Sequence, residues 1–107
     1  MAAVWTDPNG GEIESGTAMT VAGDYILNGK GINRGAYFGF GAKGAEAGQG
    51  ATIQLWGRIM GVKTNIGSAT AVTFAAPVVW PSAYLICGEV GMTISALTGG
   101  VVVEVAQ

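Results

Sequence analysis

Apolar and polar positions alternate with a period of two over several short stretches of this chain. No segment follows the i, i+3, i+4, i+7 spacing of an amphipathic helix. The clearest alternation runs from Ala51 to Met60, with Ile53, Leu55 and Ile59 on one side and Thr52, Gln54, Trp56, Arg58 and Met60 on the other. This is the pattern of an antiparallel strand with one solvated face. Ser82 to Val90 is nearly continuous in apolar residues and predicts a strand covered on both faces. Met92 to Leu97 and Val101 to Ala106 predict two more, joined at Thr98-Gly99-Gly100. Together they read as a three-stranded meander on which the rest packs, with Val101, Val103 and Val105 inward and Glu104 outward.

Shorter segments complete an all-β reading. Thr17 to Val21 and Tyr25 to Leu27 predict short strands. Asn28-Gly29, the strongest short hairpin signal, makes Ala36 to Phe40 the expected return strand. Gly39 and Gly41 thin that strand and predict a bulge or a close backbone approach. Residues 41–50 predict a glycine loop, Asn65-Ile66-Gly67-Ser68 a turn, and Ala69 to Ala76 a further strand. Pro77-Val78-Val79-Trp80-Pro81 is bracketed by prolines, which confines it to an edge or crossover. Residues 1–16, with Thr6-Asp7-Pro8-Asn9-Gly10-Gly11 as dense turn chemistry, read as an extended N-terminal arm ahead of a single β-domain over 17–107. Trp5 on that arm either folds back onto the core or docks on a neighbour. The expected architecture is a small Gly-rich β-sandwich or barrel, jelly-roll-like if the strands split between two sheets.

Composition sharpens this picture. Half of the residues are hydrophobic, while only 11% are charged. Monomers carry about 25% charged residues, so the deficit points to a surface covered by partners. The charges are also segregated. Asp7, Glu12, Glu14 and Asp24 come first. Lys30, Arg34, Lys43, Arg58 and Lys63 follow with only Glu46 among them, and Glu89 and Glu104 close the chain, giving blocks of net −4, +4 and −2. Such blocks suit electrostatic registry between copies or with a partner. The N-terminal residues show no signal-peptide pattern, and no apolar run approaches the roughly 20 residues of a membrane span.

The sequence offers little for catalysis. There is no His, and the one Cys, Cys87, lies in an apolar run as a core filler. No metal-ligating set, cofactor or catalytic pair is expected. Gly39-Phe40-Gly41-Ala42-Lys43-Gly44 matches the dinucleotide fingerprint, but no helix follows it, so the match is discarded. Five basic residues in an acidic chain are too few for the phosphate contacts that dominate nucleic-acid binding. The candidate partner-binding residues are Trp5, Trp56, Arg58, Val78, Val79 and Trp80. Trp56 between Gln54 and Arg58, or else Trp80, also fits the stacking platform of a carbohydrate-binding or tail-fibre-type module, the alternative function.

With its Met-Ala start, the Gly-rich arm from Trp5 to Gly16, a body of Ala, Val, Thr and Gly, and few charges, the chain resembles the small cement or decoration proteins of tailed-bacteriophage capsids. That resemblance implies a non-enzymatic virion protein, assembled in the host cytoplasm. It would bind a major capsid protein or another virion protein as a homo-oligomer, commonly a trimer, and stabilise the capsid lattice.

Overall fold

The structure, a computed structural model, describes residues 4–28, 37–84 and 89–106. Ten strands run in order: β1 Val4–Thr6, β2 Glu12–Glu14, β3 Ala18–Met19, β4 Gly23–Asn28, β5 Tyr37–Gly44, β6 Gly50–Ile59, β7 Val62–Thr73, β8 Val78–Tyr84, β9 Glu89–Thr98 and β10 Val101–Ala106. Among the described residues there is no helix. The strands divide between a six-stranded sheet, β2-β1-β4-β9-β6-β7, and a four-stranded sheet, β3-β10-β5-β8, with every pairing antiparallel.

The two sheets form a β-sandwich around one apolar core. Period-two alternation sends Trp5, Tyr25, Leu27, Ile53, Leu55, Val90, Met92 and Ile94 inward from the larger sheet. Met19, Phe40, Ala42, Val101 and Val103 point inward from the smaller one. The sheets meet where the Trp5 and Phe40 rings lie 6.0 Å apart at 45°. The predicted alternation holds at Ile53 and Leu55 of β6 and at Val101, Val103 and Val105 of β10, as does the edge position of the Pro77–Pro81 segment, since among the described residues β8 pairs only with β5.

Four expectations are corrected. First, residues 1–16 are not a free arm over their described part. Val4–Thr6 pairs with β2 on one side and β4 on the other, and Trp5 is 0% exposed. The Thr6–Gly11 turn chemistry closes this hairpin. Asp7 Oδ1 accepts the Asn9 and Gly11 N–H groups at 2.8 and 2.9 Å, an Asx turn.

Second, the closing meander does not form. β9 and β10 belong to different sheets, so Thr98-Gly99-Gly100 crosses between layers instead of closing a hairpin. Gly91, read as the break before Met92, lies inside β9, where it is needed because a Cβ there would run into the Trp56 ring. The predicted Ser82–Val90 strand is likewise divided between β8 and β9, in different sheets. Cys87 falls outside the described residues.

Third, β5 does not return alongside β4; it pairs with β10 and β8. Residues 29–36, which hold most of the Asn-Gly hairpin signal, are outside the described part. The register does shift beside Gly39, but the bulge is on the neighbouring strand: Pro81 and Ser82 of β8 stand against Gly39 alone.

Fourth, half of the predicted glycine loop of 41–50 is strand, and the loop shrinks to residues 45–49. β5 continues to Gly44 and β6 begins at Gly50. A Cβ on Gly44 would overlap the Gln49 carbonyl and crowd the Phe74 amide. Gly44→Ala is therefore expected to destabilise the domain by about 1–3 kcal/mol through overpacking, read as a lower denaturation midpoint at unchanged m-value.

β7 is continuous over Val62–Thr73 where a turn was expected. Gly67, Ser68 and Ala69 oppose Gln54 alone, so the turn signal is spent on an enlarged bulge of three residues against one. The Gln54 amide donates to the Gly67 carbonyl at 3.1 Å and braces it.

Candidate functional surfaces

The structure separates the predicted binding residues into three groups. Trp5 and Trp56 are internal, the latter 2% exposed. Val78 and Trp80 lie half-buried on the inner face of β8, packed against the core. Arg58 and Val79 are exposed.

Trp56 was expected on the solvated face of its strand, and it is on that face, but covered. Its ring lies over Gly91 of the neighbouring strand. Lys63 reaches over it with Nζ 4.7 Å from the ring centroid, then donates to Asp24 Oδ2 at 3.1 Å. The Thr93 hydroxyl donates to the other Asp24 oxygen at 2.6 Å. This strap of Lys63, Asp24 and Thr93 replaces the accessible aromatic plane that a stacking platform needs.

The strap has a pH signature. The Thr93 hydrogen bond, assisted by that of Lys63 and its charge, holds the Asp24 carboxyl below its ordinary value. A carboxyl depressed in the folded state contributes stability that is present above the unfolded value, about 3.9, and is lost as pH falls through the lower folded value. Asp24→Asn is therefore expected to lower the neutral plateau of a melting-temperature profile slightly, since the pair is half exposed, and to approach wild type as pH falls below about 4, which flattens the acid limb.

Two outward features stand out. One is the tip of the β6–β7 hairpin. Met60 and Gly61 have φ of 51° and 80°, the left-handed pair of a two-residue hairpin turn. Gly61 suits that conformation. Met60 does not, yet its side chain is 97% exposed and Val62 beside it is 63% exposed. Arg58 Nη1 reaches the Gly61 carbonyl at 3.4 Å and closes the tip from below. A residue better suited to the left-handed region removes the strain, so Met60→Asn is expected to stabilise the isolated domain by about 1 kcal/mol, measured by chemical denaturation.

The other feature is the outer face of the four-stranded sheet. Gly41 stands in register between Glu104 of β10 and Val79 of β8. Its missing side chain leaves a trough of about 280 Å³ lined by Gly41, Lys43, Pro77, Val79, Val102 and Glu104, with Val78 at its edge. Val79 is 78% exposed on its wall. Lys43 lies near the half-exposed Phe74 ring, Nζ 5.8 Å from its centroid. A second recess, of about 400 Å³, opens among Gln49–Thr52, Ala71–Ala75, Ala96 and Thr98, where a β9 bulge holds Ala96 at φ 49°. Its lining is mostly glycine, alanine and threonine, with Gln49, Val72 and Phe74 among them.

Of these outward residues the sequence reading marked only Arg58 and Val79. It placed Met60 on the polar side of a strand, although Met-Gly between Ile59 and Val62 has the length of a two-residue hairpin loop. The trough carried no local signal, because it is made by register between three strands distant in sequence. Among the described residues no three metal-ligating side chains gather. No family model matches the chain, and neither a curated protein nor a solved structure matches it.

Proposed function

We propose that this chain is a non-enzymatic structural protein of a virion, a capsid decoration or cement protein that binds a capsid lattice as a homo-oligomer, a trimer being the favoured form. The observation that carries the reading is the placement of bare apolar side chains, Met60, Val62 and Val79, on projecting features of a chain with 11% charged residues. Water-exposed apolar groups on a poorly charged surface favour association. A β-sandwich with a rigid core presents such groups at fixed spacing, and contacts repeated over a lattice hold through multivalency even where each is weak. The expected partner is the major capsid protein or another virion protein.

The carbohydrate-binding alternative draws on an exposed Trp56 or Trp80; the burial of Trp56 takes away the first platform, and Trp80 is half-buried against the core. The test is co-sedimentation of the purified chain with capsids from its native source. Saturable binding at a fixed ratio to lattice subunits, with increased resistance of the capsid to heat, is the expected result. Absence of binding at micromolar concentrations would refute the decoration role.

A further inference from the structure

We infer that Met60 is a reversible oxidation site, at which hydrogen peroxide turns the apolar tip of the β6–β7 hairpin polar and so weakens assembly. The inference rests on the reading of the chain as an assembling structural protein and names a regulation of the surface that carries that reading.

Exposure singles out this thioether. Met60 is 97% exposed, whereas Met19 and Met92 are 0% exposed in the core between the sheets. Oxidation requires the peroxide to reach the sulfur, so the buried pair reacts only when the sandwich opens. Met60 reacts from the native state.

The backbone explains the difference. Met60 and Gly61 occupy the two left-handed positions of a two-residue turn, where neither strand of the hairpin covers the side chain. The turn is braced by Arg58 Nη1 on the Gly61 carbonyl at 3.4 Å, a contact in which the thioether takes no part. An oxygen added to Met60 therefore meets solvent, and the fold persists. The same oxygen on Met19 or Met92 would put a polar group into a core that holds no buried polar residue among the described ones.

In the oxidation step the sulfur lone pair attacks one peroxide oxygen. The S–O bond forms as the O–O bond breaks, and the departing hydroxide takes the proton of the transferred oxygen and leaves as water. Sulfur gives up two electrons and the peroxide is reduced. A dithiol reverses the change, returning the thioether with a disulfide and water. The sulfoxide is polar where the thioether was apolar, so of the tip's two bare apolar side chains only Val62 remains. A contact that buries residue 60 would then have to strip water from the sulfoxide oxygen. The oxidant acts on the free chain, since a tip seated on a partner covers its sulfur.

The test treats the full chain with graded hydrogen peroxide, maps each methionine by peptide mass spectrometry, and follows assembly by sedimentation velocity and by binding to capsids from the native source. Met60 is expected to oxidise at least about tenfold faster than Met19 and Met92, with an unchanged denaturation midpoint. Association should weaken by about tenfold or more and return on treatment with methionine sulfoxide reductases of both epimer specificities and a dithiol. The loss should proceed at a rate independent of pH, because a thioether has no proton to lose, whereas reaction at the Cys87 thiol would quicken as pH rises. Met60→Leu, which keeps an apolar side chain of similar size, should assemble like the wild type and resist peroxide, while Met60→Gln should behave like the oxidised chain. Oxidation of Met19 or Met92 as early as Met60, assembly that survives complete Met60 oxidation, or a loss that also occurs in Met60→Leu overturns the inference. A chain that neither associates nor binds capsids before any oxidant is added overturns the assembly reading and this regulation with it. Assembly indifferent to Met60 oxidation overturns the regulation alone, so the two failures are distinguishable.

Discussion

Replacing Trp5 by Ala is expected to destabilise the domain by about 3–5 kcal/mol, enough to bring it close to its unfolding midpoint if its total stability is near the low end of the usual 5–15 kcal/mol. Trp5 is fully buried, sits between β2 and β4 in the larger sheet, and touches Phe40 of the smaller one. Truncation empties the contact between the layers. The indole N–H is buried with no acceptor among the described residues, so the ring is held by packing and not by a hydrogen bond. Trp5→Phe, which keeps a ring and removes that unsatisfied donor, should therefore cost much less than Trp5→Ala. For the same reason a chain lacking residues 1–14 is expected not to fold, as judged by far-UV circular dichroism, because it loses β2 and β1, the two strands at one side of the six-stranded sheet, and leaves β4 unpaired on that side. A removable arm would predict a folded product.

Trp56→Ala is expected to have an effect of similar size, again about 3–5 kcal/mol, through a different arrangement. This ring closes the outer face of the six-stranded sheet, stacked between the Gly91 backbone and the Lys63 ammonium. Removing it exposes the β9 backbone at Gly91 and leaves the Lys63–Asp24 pair without the surface it spans. The loss should appear in equilibrium denaturation. If Trp56→Ala instead left stability within about 0.5 kcal/mol of wild type, as ordinary surface changes do, the ring would not be a covered structural element.

The sequence made the strand-rich class legible because the evidence for it is local. Alternation over Ala51–Met60 and Val101–Ala106 is set by the two-residue period of a pleated strand, whatever that strand pairs with. What it left unread depends on pairing. Gly91 looks like a break because glycine is common in turns, but its absent Cβ is required by a tryptophan from another strand. Thr98-Gly99-Gly100 looks like a hairpin loop, yet the chain there passes from one sheet to the other, a choice that turn chemistry does not make. Trp5 could have faced either way from its short segment, and only the positions of β4 and Phe40 decide it.

The same distinction governs the functional surfaces. Exposed charge and the apolar excess were readable from composition. The trough was not, because Gly41, Val79 and Glu104 meet only through the register of β8, β5 and β10. Met60 was hidden by a different cause. A methionine in a left-handed turn runs against turn preference, so the local rule pointed away from the residue that projects furthest into solvent.

The claim on which the whole account turns is that this sandwich works by association through its exposed apolar features. Sedimentation equilibrium of the unmodified 107-residue chain over a wide concentration range tests it most directly. The account predicts a species whose mass is a multiple of 10.8 kDa, dissociating on dilution. A single 10.8-kDa species at the highest concentration, with no particle-bound form in material from the native source, would contradict it.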